Sequence, residues 1–542
     1  MASAGRATDS VDFGAFLQSI RARRHPNVIL TFEDGRILTR SQSQLCEDAA
    51  AAAARLRGWG VRAGMRVGIR APNSYQWLVY DLALLEAGAT SVAFTDDFAG
   101  EKVTSLTQRY QLSLLLLPAA ERPSGVSPPP GVAYIDSDTE CVRLWPRAVG
   151  ERTAPWLVFS SGSAGGAKGL VIEPRGVAQT IDTLVRAIGP RSDDRIAIFL
   201  PLSNFQQRMM CYAALWHGFD IVLVSVGRLF HALREMHPTI LVAPPVLYET
   251  VAGRVLNQTL PKRLVLSTAL AVRDVVPQSA RRRLVRRLFR GVHETFGGRM
   301  RFMITGMAPI SRATLDLFAT MDLPLFEAYG LVETGPIALN VPGASRLGSV
   351  GRPFPGVSIQ LAPDGEIVVE RRHHLARGYF EAAEGECERT FLGAGRVATG
   401  DIGRFDQDGF LYLVGRKKEI IVTPGGDKIH PEVVEAALSE CPDVACAVII
   451  GHDGAGLSAV VRPARPGNAP MHRRIRRFTE ELGQRQPKFT ISALTFTDIE
   501  FSRENGCLRP NLKLDRRCIA QRFAADAAGM PNNTAALHGA ER

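Results

Sequence analysis

Between Trp156 and Gly176 the chain reads WLVFSSGSAGGAKGLVIEPRG: an apolar run empties into a loop of small residues, then Lys168, then a second apolar run. That order predicts strand, loop, strand. Gly162, Gly165, Gly166 and Gly169 permit sharp turns with backbone N–H groups turned inward, Ser160, Ser161 and Ser163 add hydroxyls, and Lys168 adds a cation. Such a loop suits a polyphosphate. It is not the common P-loop, whose G-x-x-x-x-G-K-[ST] pattern would need Gly where Ala167 stands and Ser or Thr where Gly169 stands. Taken alone, the stretch also fits a solvated glycine-rich linker.

The flanks alternate between strand and helix patterns. Before the loop come a helix over 41–60 closed by glycine, a strand at 65–71, a helix at 75–88, and strands at 91–94 and 112–118. After it come a strand at 196–201, a helix at 206–218, a strand at 220–226, a helix at 226–236 and a strand at 239–244; then 300–306 and 322–330 bracket a helix from Ser311. Strands separated by helices imply mostly parallel sheets covered on both faces, hence an α/β fold with two doubly wound layers. From Gly351 the segments shorten, as in SIQLAPDGEIVVE with its PDG turn, and a small β-barrel subdomain is expected. DGFLYLVGRKKEIIV then reads as a hairpin leading into a compact α+β pattern: a helix at 431–440, strands at 444–450 and 458–464, and a helix at 471–483. The expected organisation is an N-terminal domain over 1–415, a small mobile C-terminal lid over 416–527, and a disordered tail over 528–542.

At 542 residues the chain exceeds the usual size of a single core. Its hydrophobic fraction of 46% and charged fraction of 22% are those of an ordinary soluble protein. Eight cysteines without a C-x-x-C pair argue against a disulfide framework or a zinc site and for structural thiols in a reducing cytosol. No apolar run reaches the length of about eighteen residues that a membrane span needs, and the N-terminus lacks the apolar core of a signal peptide, so a cytoplasmic protein is expected. The net charge of +11 directs attention to RRRLVRRLFR at 281–290. Leu284, Val285, Leu288 and Phe289 fall on one helical stripe there, which reads as a surface helix packed on a core rather than a nucleic-acid contact. A basic surface also suits the acidic phosphates of coenzyme A.

Further blocks follow the glycine loop in order: LPLSNF at 200–205, EAYGLVE at 327–333, TGD at 399–401, GRKKEIIVTPGGDKIHPE at 415–432 and NGCLRPNLKLDRR at 505–517. Together they resemble the adenylate-forming superfamily, and LPLSNFQQRM, GRKKEII and ENGCLRPNLKL are similar to its long-chain acyl-CoA synthetase branch. The resemblance implies that a carboxylate attacks the α-phosphate of ATP to give an acyl adenylate, and that a thiol then expels AMP. It places the β- and γ-phosphates on Ser160, Ser161, Gly162, Ser163, Gly165 and Lys168, and Mg²⁺ on Glu333. The adenine falls to Tyr329 and Gly330 beside Gly306, Ala308 and Pro309, and the ribose to Asp401 and Arg416. It makes Lys513 the lysine bridging the substrate carboxylate and α-phosphate, Lys418 the hinge, and Gly426 the approach to the pantetheine of coenzyme A. Asn204 and Phe205 fall on the acyl pocket. For Asp401 alone, a turn aspartate before an exposed glycine is the competing reading.

The sequence also departs from the family pattern. Ala164 and Val332 stand where threonines are usual, Ala167 where proline is, Asn204 where the long-chain branch often has histidine, and Ala398 where arginine often precedes TGD. A hydrogen bond to a charged group contributes about 1.5–3 kcal/mol, so lost hydroxyls at Ala164 and Val332 would weaken ATP handling. Four activities stay open: a two-step acyl-CoA ligase, a ligase that only converts an acyl adenylate supplied by a sister ligase, an acyl-AMP ligase loading a carrier protein, and a non-catalytic acyl-nucleotide-binding module.

Overall fold

The computed structural model describes residues 13–23, 25–33, 35–95, 98–122, 128–135, 142–145, 155–161, 167–256, 278–423, 427–452, 456–465, 469–502, 504–508 and 514–527. Two large sheets form the body. The nine-stranded sheet runs from edge to edge through Arg352–Pro353, Gly335–Leu339, Leu325–Leu331, Phe302–Thr305, Ile240–Ala243, Arg195–Ile198, Asp220–Leu223, Val28–Glu33 and Arg36–Ser41. Its six inner strands are parallel, and antiparallel strands close both edges. The seven-stranded sheet runs through Ala376–Phe380, Ala167–Ile172, Trp156–Ser161, Thr90–Ala93, Arg66–Ile69, Leu112–Leu117 and Val132–Tyr134. It is parallel except where the first three strands meet.

Helices fill the space between the sheets. Tyr75–Ala87 starts at Ser74, whose hydroxyl accepts from Trp77 N at 3.1 Å, and stops at Gly88 with φ 70°. Ten of its residues are buried, from Tyr75 to Leu85, as befits a helix apolar on every side. One core joins it to Pro174–Ile188, Phe205–His217 and strands of both sheets, including Ile69, Val158, Ile196 and Ile304. Inside it, Trp156 Nε1 donates to Tyr212 Oη at 3.1 Å and Tyr212 donates to Asp81, which fixes the strand entering the glycine loop.

A five-stranded antiparallel sheet follows the body: Ser358–Leu361, Glu366–Glu370, Arg396–Phe405 and Phe391–Gly393, with Leu411–Arg416 paired to the long strand Arg396–Phe405. The PDG turn sits where expected, but the sheet is open rather than a closed barrel. The expected hairpin through GRKKEIIV is also absent, because Leu411–Arg416 pairs with Arg396–Phe405 whereas Ile421–Val422 pairs with Lys428–Ile429. A short 3₁₀ turn, Lys417–Glu419, separates them.

Beyond that turn Val444–His452, Gly456–Pro463 and Ile491–Phe496 form a sheet against Pro431–Leu438 and Ala469–Arg485, with a core of their own around Val434, Val461 and Ile475. In the basic segment the helix Gln278–Leu288 forms, but only half of the expected stripe is buried: Val285 and Phe289 are 5% and 8% exposed, Leu284 and Leu288 50% and 45%. The described cysteines are all free. Among the described residues no helix is long and apolar enough to cross a membrane.

Candidate active site

Both strands flanking the loop form as the sequence predicts, Trp156–Ser161 and Ala167–Ile172, and they pair antiparallel, with Ser160 opposite Lys168. Directly opposed residues share a face, so the hydroxyl and the ammonium stand on the same side of the ladder. Gly162, Ser163 and Gly165 lie outside the described residues, as do Gly426 and Lys513, and the Ser161 backbone ends the strand.

Strand Leu325–Leu331 brings the aromatic side of the site. Its pairing with Gly335–Leu339 shifts register between Tyr329 and Gly330. A side chain at Gly330 would place its Cβ 2.9 Å from Gly335 O, and one at Gly306 would lie 3.0 Å from Ala328 O, so both positions are tight against neighbouring backbone. After Gly306, Met307 takes φ 71° and presents exposed Ala308 and Pro309. Val332 packs against the main core.

Asp401 and Arg416 face each other across Arg396–Phe405 and Leu411–Arg416. Tyr329 Oη donates to Asp401 Oδ2 at 2.7 Å, and Arg416 Nε lies 3.1 Å from Asp401 Oδ1. The aspartate side chain is 9% exposed and the arginine 39%, so a buried carboxylate is held between a phenol and a guanidinium that reaches solvent. Burial, then the Asp401 charge, pushes the Tyr329 phenol well above its ordinary range, which keeps it a donor. A carboxylate oriented in this way suits a vicinal diol, so these residues fit the ribose of an adenylate.

A second group gathers around Tyr379 on strand Ala376–Phe380. Its hydroxyl donates to Glu333 Oε1 at 3.0 Å, while Ala376 N donates to Glu333 O at 3.1 Å. Lys168 Nζ lies 5.3 Å from the centre of the Tyr379 ring and donates to Glu386 Oε1. Among the described residues no group of three or more His, Cys, Asp or Glu forms a metal cage. A single carboxylate such as Glu333 would serve Mg²⁺ only as one ligand among phosphate oxygens and water.

Asn204 caps the helix Phe205–His217, its Oδ1 accepting from Gln206 N at 3.1 Å, and its amide nitrogen lies 4.0 Å from Met307 Sδ. The cap thus touches the Gly306–Pro309 turn. Phe205 is 2% exposed and packs edge-on against Trp156, so its side chain lies in the main core. Lys418 is exposed on the 3₁₀ turn. Tyr379 and Glu386 enter the site without any signal in residue spacing.

A model described as AMP-binding enzyme matches residues 19–380. The chain belongs to the AMP-binding enzyme family. Relatives within that family include the long-chain-fatty-acid–CoA ligase FadD15 of Mycobacterium bovis, 26% identical over 555 residues that cover 90% of this chain and 92% of that one. The long-chain-fatty-acid–CoA ligase ACSBG2 of Gallus gallus is 30% identical over 328 residues, 54% of this chain and 42% of its own. Among solved structures, the O-succinylbenzoate coenzyme A synthetase MenE of Bacillus subtilis in complex with AMP superposes with a TM-score of 0.70 at 20% identity, covering 93% of this chain and 97% of MenE. The amide bond synthetase McbA of Marinactinospora thermotolerans gives 0.71 at 19% identity, covering 94% and 99%. At these identities the likeness to the solved AMP-binding enzymes is one of fold.

Proposed function

We propose that this AMP-binding enzyme is an acyl-CoA ligase that makes a coenzyme A thioester by way of an acyl adenylate. The observation that carries this reading is Asp401 held between Tyr329 and Arg416, a ribose clasp at the meeting of the nine-stranded and five-stranded sheets. The names of the relatives matched over most of their length supply the acid and the thiol: a long-chain fatty acid and coenzyme A. In this reading residues 1–415 bind the acid and, with Arg416, the nucleotide, and 416–527 act as a mobile lid. Lys513 bridges carboxylate and α-phosphate in the first step, and the loop with Gly426 receives the pantetheine in the second.

Glu333 with Mg²⁺ and the glycine loop with Lys168 would balance the charge of ATP. Two features favour a narrower reading in which only the thioester step survives and a sister ligase supplies the adenylate. Hydroxyls are missing at Ala164 and Val332, and the Lys168 ammonium is occupied by Glu386.

One experiment tests both. Purified protein is given acids with Mg·ATP, or preformed acyl adenylates alone, each with coenzyme A or a holo-carrier protein, and thioesters are read by mass spectrometry beside ATP–pyrophosphate exchange. Thioester from a supplied adenylate and coenzyme A is expected. No thioester from any adenylate overturns the ligase reading, and exchange with an acid that also becomes its coenzyme A ester overturns the narrower one.

A further inference from the structure

The cation of the glycine loop already has an anion. Lys168 donates to the Glu386 carboxylate, with side chains 28% and 20% exposed, so the pair is shielded from water on most sides. Glu386 opens the helix Glu386–Thr390, its backbone N–H donating to Ala383 O at 3.0 Å after Gly385 turns the chain with φ 70°. Lys168 holds the Glu386 carboxyl below the usual carboxylate range, with Lys418 adding to the effect. A full negative charge therefore stands where a β- or γ-phosphate would meet Lys168. The Tyr379 ring beneath the ammonium closes another approach, and its hydroxyl is engaged by Glu333.

We propose that Glu386 is a nucleotide-selectivity residue: by occupying Lys168 it sets the site to take a nucleotide with one phosphate, such as an acyl adenylate, in preference to a triphosphate. The proposal rests on the site being an adenylate site as proposed above. A triphosphate must separate Lys168 from Glu386 and then lie beside the released carboxylate, a like-charge contact that disfavours binding. A monophosphate, fixed at its ribose by Asp401 and extending only to the α-position, leaves the pair intact. Glu386 thus acts on which nucleotide binds, not on the reacting atoms.

Calorimetric titration of the full chain with Mg·ATP and with AMP, on the native protein, Glu386→Gln and Glu386→Ala, tests this directly. Both variants should bind Mg·ATP about tenfold more tightly, the scale of one charge-assisted contact, while AMP affinity changes by less than about twofold. Lys168→Met should cost Mg·ATP little in the native background and about tenfold in the Glu386→Ala background, a coupling that a merely structural pair would not give. An unchanged ATP-to-AMP ratio, weaker Mg·ATP binding in both variants, or equal gains for both nucleotides overturns the role of Glu386. Failure of all three proteins to bind AMP overturns instead the reading of the site itself, and neither result depends on turnover.

Discussion

Glu327 lies two residues before Tyr329 on the same strand and so on the same face. Burial pushes its carboxyl up to about 8, against a single backbone donor, Gly348 N at 3.2 Å. The unfolded chain releases this proton near 4.5, whereas the folded chain keeps it to about 8. Between those values folding takes up a proton, so this residue's contribution to stability falls as pH rises and levels off above about 8. Glu327→Gln removes the effect without emptying the site. Its unfolding free energy, compared with that of the native protein, should gain steadily from pH 5 to pH 8 and no further, by an amount on the order of a few kcal/mol; a gain that shrinks with pH refutes the assignment. Asp401, Tyr329 and Arg416 were legible in the sequence because short motifs carry them. Glu327 stands in the same block as Tyr329, but its shifted proton was not legible, since it comes from burial beside Gly348. Glu386 was not legible either, because it meets Lys168 across 218 positions of chain.

At the scale of elements, the alternation of strands and helices in the body was legible because each segment buries its own apolar pattern. Partner choice was harder to read. Leu411–Arg416 and Ile421–Val422 both look like hairpin arms, yet each finds its partner elsewhere, and Ile491–Phe496 joins its sheet by a parallel pairing that no local turn announces. The helix Gln278–Leu288 shows the same limit within one element. At 100° per residue, Val285 with Phe289 and Leu284 with Leu288 form adjacent stripes, and periodicity alone does not say which faces inward. Packing does: Phe289 and Val285 join the cluster around Tyr248, Phe296 and Phe318, leaving the leucines among exposed arginines. Phe289→Ala should therefore cost about 3–5 kcal/mol in urea unfolding, whereas Leu288→Ala should stay within about 0.5 kcal/mol. Equal losses would mean that both stripes are buried.

At the scale of the whole molecule, two sets of ion pairs meet at the turn Lys417–Glu419. Lys417 Nζ lies 2.7 Å from both Asp364 Oδ2 and Glu366 Oε2, which ties it to the five-stranded sheet. Glu419 Oε2 lies 3.3 Å from Arg516 Nε on the last helix, and Arg516 also grips Glu435 of Pro431–Leu438. A rotation at Lys418 would leave Lys417 with the body and carry Glu419, Glu435 and Arg516 away as one unit, breaking neither set. Rotation at Lys418 would therefore spare both sets of ion pairs. Lys418→Pro fixes φ near −65° and disfavours the helical region for Lys417, so rotation about the turn is restricted. Lys418→Ala removes the same charge and keeps the backbone free. Thioester formation from a supplied acyl adenylate should fall about tenfold or more in the proline variant, with AMP affinity unchanged, and should be largely retained in the alanine variant. Equal rates in the two variants would show that the thiol step needs no turn of the lid at this residue, and a loss in both would assign the effect to the ammonium, which also bears on Glu386.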